Sequence, residues 1–185
     1  MKVAFVIYNG MTTLDFIGVY DPLTRLKTMK FLNDFEWEIC SISKTVRDTT
    51  GLCILPTRIN KPFYDYDLVY VPGGYGSRSY LNDKEFINWL KTAKDCDYKV
   101  SVCTGSLLLG AVGFLYGKKA TTHPSEYEML KPYCSIVLDQ RIVDEGDVIT
   151  ARGVTSAIDL GLYLCEKFAG SEAKEKIRKQ MDYPF

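Results

Sequence analysis

The segment YKVSVCTGSLLLGA carries the clearest chemical signal in the chain. A run of β-forming residues passes straight into an apolar helical stretch, and the residue at the join is Cys103. That layout is a nucleophile elbow, in which a sharp turn lifts a reactive side chain above the edge of a sheet. The helix starting there aims unpaired N–H groups and the positive end of its dipole at the sulfur. This predicts a thiol pKa well below the ordinary value of ~8.5. The amides of Thr104 and Gly105 are then placed to receive a developing negative charge. The competing reading is a buried strand-end cysteine with no chemical role, because strand–turn–helix units are common.

A second glycine-rich turn, PGGYGS, follows the apolar run DLVYV. Gly73 and Gly74 let backbone amides approach a ligand closely, and two such turns on neighbouring strands would form two walls of an oxyanion site. Asp15 sits in TTLDFIGVYD, after the first strand. A carboxylate facing a thiol in a partly dry cleft has a raised pKa and can shuttle a proton. Aspartate near a helix start is also a common N-cap. His123, in TTHPSE, is either a base or the cap of the short helix that follows.

The elements that must position these residues alternate along the chain. VAFVIY (residues 3–8) reads as a buried parallel strand. Residues 15–29 read as a helix that Pro22 interrupts or restarts. FEWEICSIS alternates apolar and polar residues as a strand does, and residues 45–59 suggest a hairpin around Thr50-Gly51 at the sheet edge. After DLVYV comes an amphipathic helix over residues 84–94, with Phe86, Ile87, Leu90 and Ala93 on one face. A third buried strand covers residues 98–102 and runs into the helix LLLGAVGFL. Further strands are expected near residues 141–143 and 148–151, then helices over 155–168 and 171–181. Alternating β and α elements with near-continuous apolar strands imply a parallel sheet covered on both faces. In such sheets ligands sit beyond the carboxyl ends of the strands, which singles out residues 9–15, 72–77 and 103–106.

Bulk composition narrows the function. A chain of 185 residues fits one domain spanning residues 1–185. Lys+Arg and Asp+Glu balance at 23 each, which argues against nucleic acid or an anionic membrane as partner. VAFVIY is too short for a signal-peptide core and no stretch is long enough to span a bilayer, so a cytoplasmic location is expected. Cys40, Cys53, Cys96, Cys103, Cys134 and Cys165 show no CxxC pairing, and there is one histidine. Neither a disulfide framework nor a zinc site is therefore expected, and most of these cysteines read as small buried apolar side chains.

The blocks LDFIGVYD, YVPGGYGS, SVCTGSLLLGAVGFLYGKKATTH and ITARGVTSAIDLGLYL, in that order, resemble the ThiJ/PfpI superfamily of class I glutamine-amidotransferase-like proteins over nearly the whole chain. The resemblance implies an α/β fold of the flavodoxin-like, three-layer kind, with a mostly parallel central sheet and the cysteine elbow. It also implies a homodimer and no metal or organic cofactor. Asp15, CTGS and ATTH look most like the isonitrile hydratase branch. By that resemblance Cys103 attacks the terminal carbon of a small isonitrile, and Asp15 protonates the adduct and then activates water. The thioimidate is released as an N-substituted formamide, with the amides of Gly74 and Thr104 holding the forming charge.

Other branches match less closely. The intracellular-protease pattern pairs the elbow cysteine with a histidine, where this chain has Thr104. The parkinsonism-associated branch, with deglycase and redox-chaperone proposals, carries glutamate in place of Asp15 but shares TTHP. Regulators containing this domain add a helix-turn-helix, for which a chain read as ending at Phe185 leaves no room. Two departures from the hydratase pattern border the expected cleft: Pro124 stands in place of tryptophan, and Ala151-Arg152 in place of a glycine pair. Arg152 either favours an anionic substrate or makes a surface ion pair. A redox sensor using Cys103 and a cysteine amidase or hydrolase remain the alternatives to a hydratase.

Overall fold

The computed structural model describes residues 1–185. Its central strands are short and apolar on both sides, because the sheet they form is buried on both faces. In chain order the elements are β1 (Lys2–Val6), α1 (Thr13–Thr28), β2 (Glu36–Ser41), β3 (Val46–Arg47), β4 (Cys53–Ile54), β5 (Arg58–Ile59) and β6 (Leu68–Val71). There follow α2 (Ser77–Tyr80), α3 (Lys84–Lys91), β7 (Tyr98–Val102), α4 (Gly105–Ala111), β8 (Lys119–Ala120), α5 (Tyr127–Leu130) and β9 (Ile136–Val137). β10 (Ile142–Asp144), β11 (Val148–Ala151) and α6 (Ser156–Gln180) close the chain.

Seven strands form one sheet in the order β10-β11-β7-β6-β1-β2-β5. All neighbours are parallel except β10 and β11. The chain builds outward from β1 through β2 to β5, then crosses back to lay β6 on the other side of β1. The carboxyl ends of β1, β6 and β7 therefore meet where the winding changes direction, the place where α/β sheets bind ligands. α1 packs on α6, while α2, α3, α4 and α5 form a second connected group. The architecture is the flavodoxin-like α/β fold expected.

Three local expectations need correction. α1 does not break at Pro22 but runs through it. The residue four positions earlier, whose carbonyl a proline ring crowds, is Gly18, and the ring lies against Gly161 of α6: a Cβ there would stand 2.3 Å from Pro22 Cγ. The predicted edge hairpin exists as β3 and β4, but as a separate two-stranded sheet; the edge of the main sheet is β5, parallel to β2. α4 stops at Ala111, before Gly113 at φ 88°. The two C-terminal helices expected are both present within α6 and meet at Gly170, whose φ 83° and ψ 170° are non-helical.

The β3–β4 unit buttresses the loop between β1 and α1. Gly10 N–H donates to the Arg47 carbonyl at 2.8 Å, and Thr13 Oγ1–H donates to Asp48 Oδ2 at 2.6 Å. This fixes the first turn of α1, two residues ahead of Asp15.

Candidate active site

Cys103 occupies the elbow with φ 53°, in the left-handed region that a non-glycine residue enters at a cost. The surrounding hydrogen bonds hold it there. Its N–H is shared between the carbonyls of Ala151 and Arg152, at 3.0 and 2.8 Å. Its carbonyl accepts the hydroxyls of Ser106 at 3.0 Å and Thr122 at 2.9 Å. Gly105 is required next in line, because a Cβ there would lie 2.2 Å from the Val71 carbonyl oxygen.

Asp15 is fully buried in the first turn of α1. It is not the N-cap: that position is Thr12, and the Asp15 carboxyl turns inward to accept the Gly73 N–H at 3.1 Å. Tyr70 Oη–H donates to the Asp15 backbone carbonyl at 2.5 Å and ties the residue to β6. Asp15 Oδ1 is buried without a well-aligned partner. The Cys103 thiol bears on the carboxyl and offsets part of its burial. Gly73 is the point where the pieces meet. A Cβ on it would lie 2.5 Å from Thr104 N, 2.7 Å from Cys103 Cβ and 2.8 Å from Asp15 Oδ2.

Electrostatics here reverse the expected thiolate. Burial, then the neighbouring Asp15 charge, push the Cys103 thiol up to about 12; the Thr104 N–H and hydroxyl pull it back only in part. Burial likewise raises Asp15 to about 7, against the lowering contributions of Cys103 and the Gly73 amide. The dipole of α4, only seven residues long, is outweighed by desolvation and a facing carboxyl. The pair is thus a thiol beside a carboxyl whose proton is held well above the ordinary carboxylate range. A carboxyl so placed can exchange a proton with the thiol.

The glycine turn also differs from expectation. Gly74 N–H donates to Thr104 Oγ1 at 2.9 Å, and Thr104 Oγ1–H lies 3.1 Å from the Gly74 carbonyl. The Gly73 and Gly74 amides are thus engaged by Asp15 and Thr104, so neither is a free anion donor here. The Thr104 amide remains directed at the sulfur.

A cleft of about 190 Å³ opens over Cys103, and its lining includes Thr104, Gly74, His123, Ser125, Glu126 and Arg78. His123 both lines it and caps the turn that follows, with Ser125 N–H 3.3 Å from Nδ1. Arg152 does not line it; its guanidinium pairs with Asp139 at 2.6 Å. Only its backbone serves the elbow, through the carbonyl that holds Cys103 N–H. Arg78 and Glu126, which form an ion pair across the cleft wall, were not singled out from the sequence. Arg78 directly follows PGGYGS and Glu126 is the last residue of TTHPSE, both segments that were, but their pairing joins residues 48 positions apart. No group of three His, Cys, Asp or Glu side chains is arranged to hold a metal ion.

The DJ-1/PfpI family model matches residues 1–167. The chain belongs to that family. Isonitrile hydratase of Pseudomonas putida is 31% identical over 184 residues, covering 99% of this chain and 78% of that protein. DJ-1alpha of Drosophila melanogaster is 28% identical, covering 95% and 81%. Among solved structures, a ThiJ/PfpI family protein from Pseudomonas syringae superposes with a TM-score of 0.90 at 30% identity, covering all of this chain and 75% of that one. DJ-1beta of Drosophila melanogaster gives 0.85 at 23% identity, covering 100% and 98%. DJ-1/PfpI membership is thus carried by the whole chain, and relatives of two kinds are similar to it. No helix is long and apolar enough to cross a membrane.

Proposed function

We propose that this protein is a cysteine-dependent hydratase acting on a small isonitrile-like electrophile, with Cys103 as nucleophile and Asp15 as proton shuttle. One observation carries the reading: a fully buried carboxyl, raised to about 7, bears directly on a thiol held in a left-handed elbow. The similarity to an isonitrile hydratase supports it.

The chemistry balances on these two groups. The sulfur bonds to the terminal carbon of R–N≡C while Asp15 takes the thiol proton and passes it to that carbon, giving the thioimidate R–N=CH–S–Cys103. Asp15, ionised again, then removes a proton from water as it adds to the same carbon. Asp15 returns that proton to the nitrogen, and the C–S bond then breaks as the hydroxyl proton passes through Asp15 to the departing sulfur, releasing R–NH–CHO and restoring the thiol. A general base near neutral pH suits this cycle better than a preformed thiolate, because the same proton must be taken and then returned.

A raised, buried thiol is also a poor peroxide sensor, since oxidation follows thiolate character and exposure. This favours turnover over redox sensing.

Formamide production from a panel of small isonitriles, followed by NMR, tests the reading. Turnover is expected for the native protein and its absence for Cys103→Ser and Asp15→Asn. Full turnover in either variant, or none in the native protein, overturns it.

A further inference from the structure

Arg78 takes no part in the chemistry above, yet it is the only lysine or arginine on the lining of the cleft that holds Cys103. Its single hydrogen-bonded partner is Glu126, reached through Nη2. A guanidinium carries five N–H donors in a planar fork. Glu126 engages one N–H of Nη2, so at least one two-donor edge of the fork is unengaged. The guanidinium carbon lies over the Tyr75 ring, 5.3 Å from its centroid, a cation–π contact. The Arg78 side chain remains 35% exposed, whereas Glu126 is 13% exposed and also accepts from the Ser125 hydroxyl at 3.1 Å. Glu126 is thus the anchored member of the pair, and Arg78 the one presented to the cleft.

A planar two-donor edge matches a carboxylate. At about 190 Å³ the cleft is below the ~300–1,000 Å³ of drug-sized ligand pockets, which suits a compact molecule. We propose that Arg78 is a specificity-determining residue that receives a carboxylate on the substrate, so that the electrophile this site takes is a small carboxylic acid with its reactive carbon a few bonds away. Isocyanoacetate is the simplest member of that class. The proposal rests on Cys103 being the nucleophile of the preceding section.

The test reads Cys103 labelling by iodoacetate and by iodoacetamide, each forming an S–C bond with loss of iodide, followed by mass spectrometry of the Cys103 peptide. The two reagents differ in carrying a carboxylate or a neutral amide. The iodoacetate-to-iodoacetamide rate ratio, normalised to that of glutathione, isolates carboxylate recognition. In the native protein it is expected to exceed the glutathione ratio by about tenfold, the scale of one charged hydrogen bond. Arg78→Met should bring it to the glutathione value or below. Glu126→Gln, which leaves the guanidinium uncompensated, should raise it.

A native ratio no higher than that of glutathione, no fall in Arg78→Met, or no rise in Glu126→Gln overturns the carboxylate subsite while leaving the nucleophile in place. A Cys103 inert to both reagents overturns the nucleophile itself and this proposal with it. Neither arm requires isonitrile turnover, so failure of the hydratase reaction is scored separately.

Discussion

Gly73 N–H donates to Asp15 Oδ2 across 3.1 Å, and a Cβ on Gly73 would stand 2.8 Å from that same oxygen. One residue therefore both holds the proposed proton shuttle and keeps the space in which its carboxyl meets the thiol. Gly73→Ala should lower kcat by at least about tenfold, since small displacements of a reacting group are costly. Its cost in stability should be about 1–3 kcal/mol, the usual penalty of overpacking. Steady-state kinetics and urea unfolding check both; an alanine variant with native kcat would show that the carboxyl–thiol spacing is not critical.

The pH dependence follows from Asp15, which is raised to about 7. The reactive form has Asp15 ionised beside a neutral thiol, so kcat/KM should rise with pH through about 7 and level off above it. The stability effect has the opposite sign. The folded pKa lies above the unfolded value of ~3.9, so the folded protein holds a proton that the unfolded chain releases. The contribution is fully present below about pH 4 and is lost as pH rises through about 7. Asp15→Asn should therefore stabilise the protein above pH 7, by about 2–4 kcal/mol, and by much less near pH 4. Thermal melts at the two pH values decide it; an equal effect at both would show that Asp15 ionises normally.

Cys103 should be the slower thiol, not the faster one, toward a neutral alkylating reagent at pH 6. Burial and the Asp15 charge hold it up to about 12, whereas Cys53 is exposed. In Asp15→Asn the Coulombic contribution disappears and the thiol pKa should fall, although the shuttle is gone. Following labelling of each cysteine peptide across pH 6–10 tests this. Preferential labelling of Cys103 at pH 6 would restore the activated thiolate that the elbow sequence alone suggests.

That reversal shows where the sequence stops being legible. The elbow, the two glycine turns and the alternation of strands and helices are local patterns, and the strands VAFV, LVYV, YKVSV and VITA read directly from their apolar runs. The thiol pKa is not local: it depends on a carboxyl 88 positions earlier in the chain and on burial by both layers. The dipole argument is sound for an exposed helix start, but here desolvation outweighs it. Arg152 was ambiguous for the same reason, since Asp139 becomes its partner only once β10 and β11 fold together. Pro22 misled because proline-breaking is a rule about an isolated helix, while its fit depends on Gly18 and on a neighbour in α6.

The contact between α1 and α6 provides a final prediction that sets two effects against each other. Gly161 lies inside α6, where alanine is intrinsically preferred over glycine by about 1 kcal/mol. A Cβ at Gly161, however, would stand 2.3 Å from Pro22 Cγ and 2.9 Å from the Gly18 carbonyl oxygen. Backbone and a rigid ring cannot yield as a flexible side chain does, so overpacking should win and Gly161→Ala should destabilise by about 1–3 kcal/mol. Because α1 carries Asp15 one turn before Gly18, the same substitution should also lower turnover. Urea unfolding with parallel kinetics checks the pair. A stabilised Gly161→Ala variant would mean that helix propensity dominates and that α1 and α6 have room to separate.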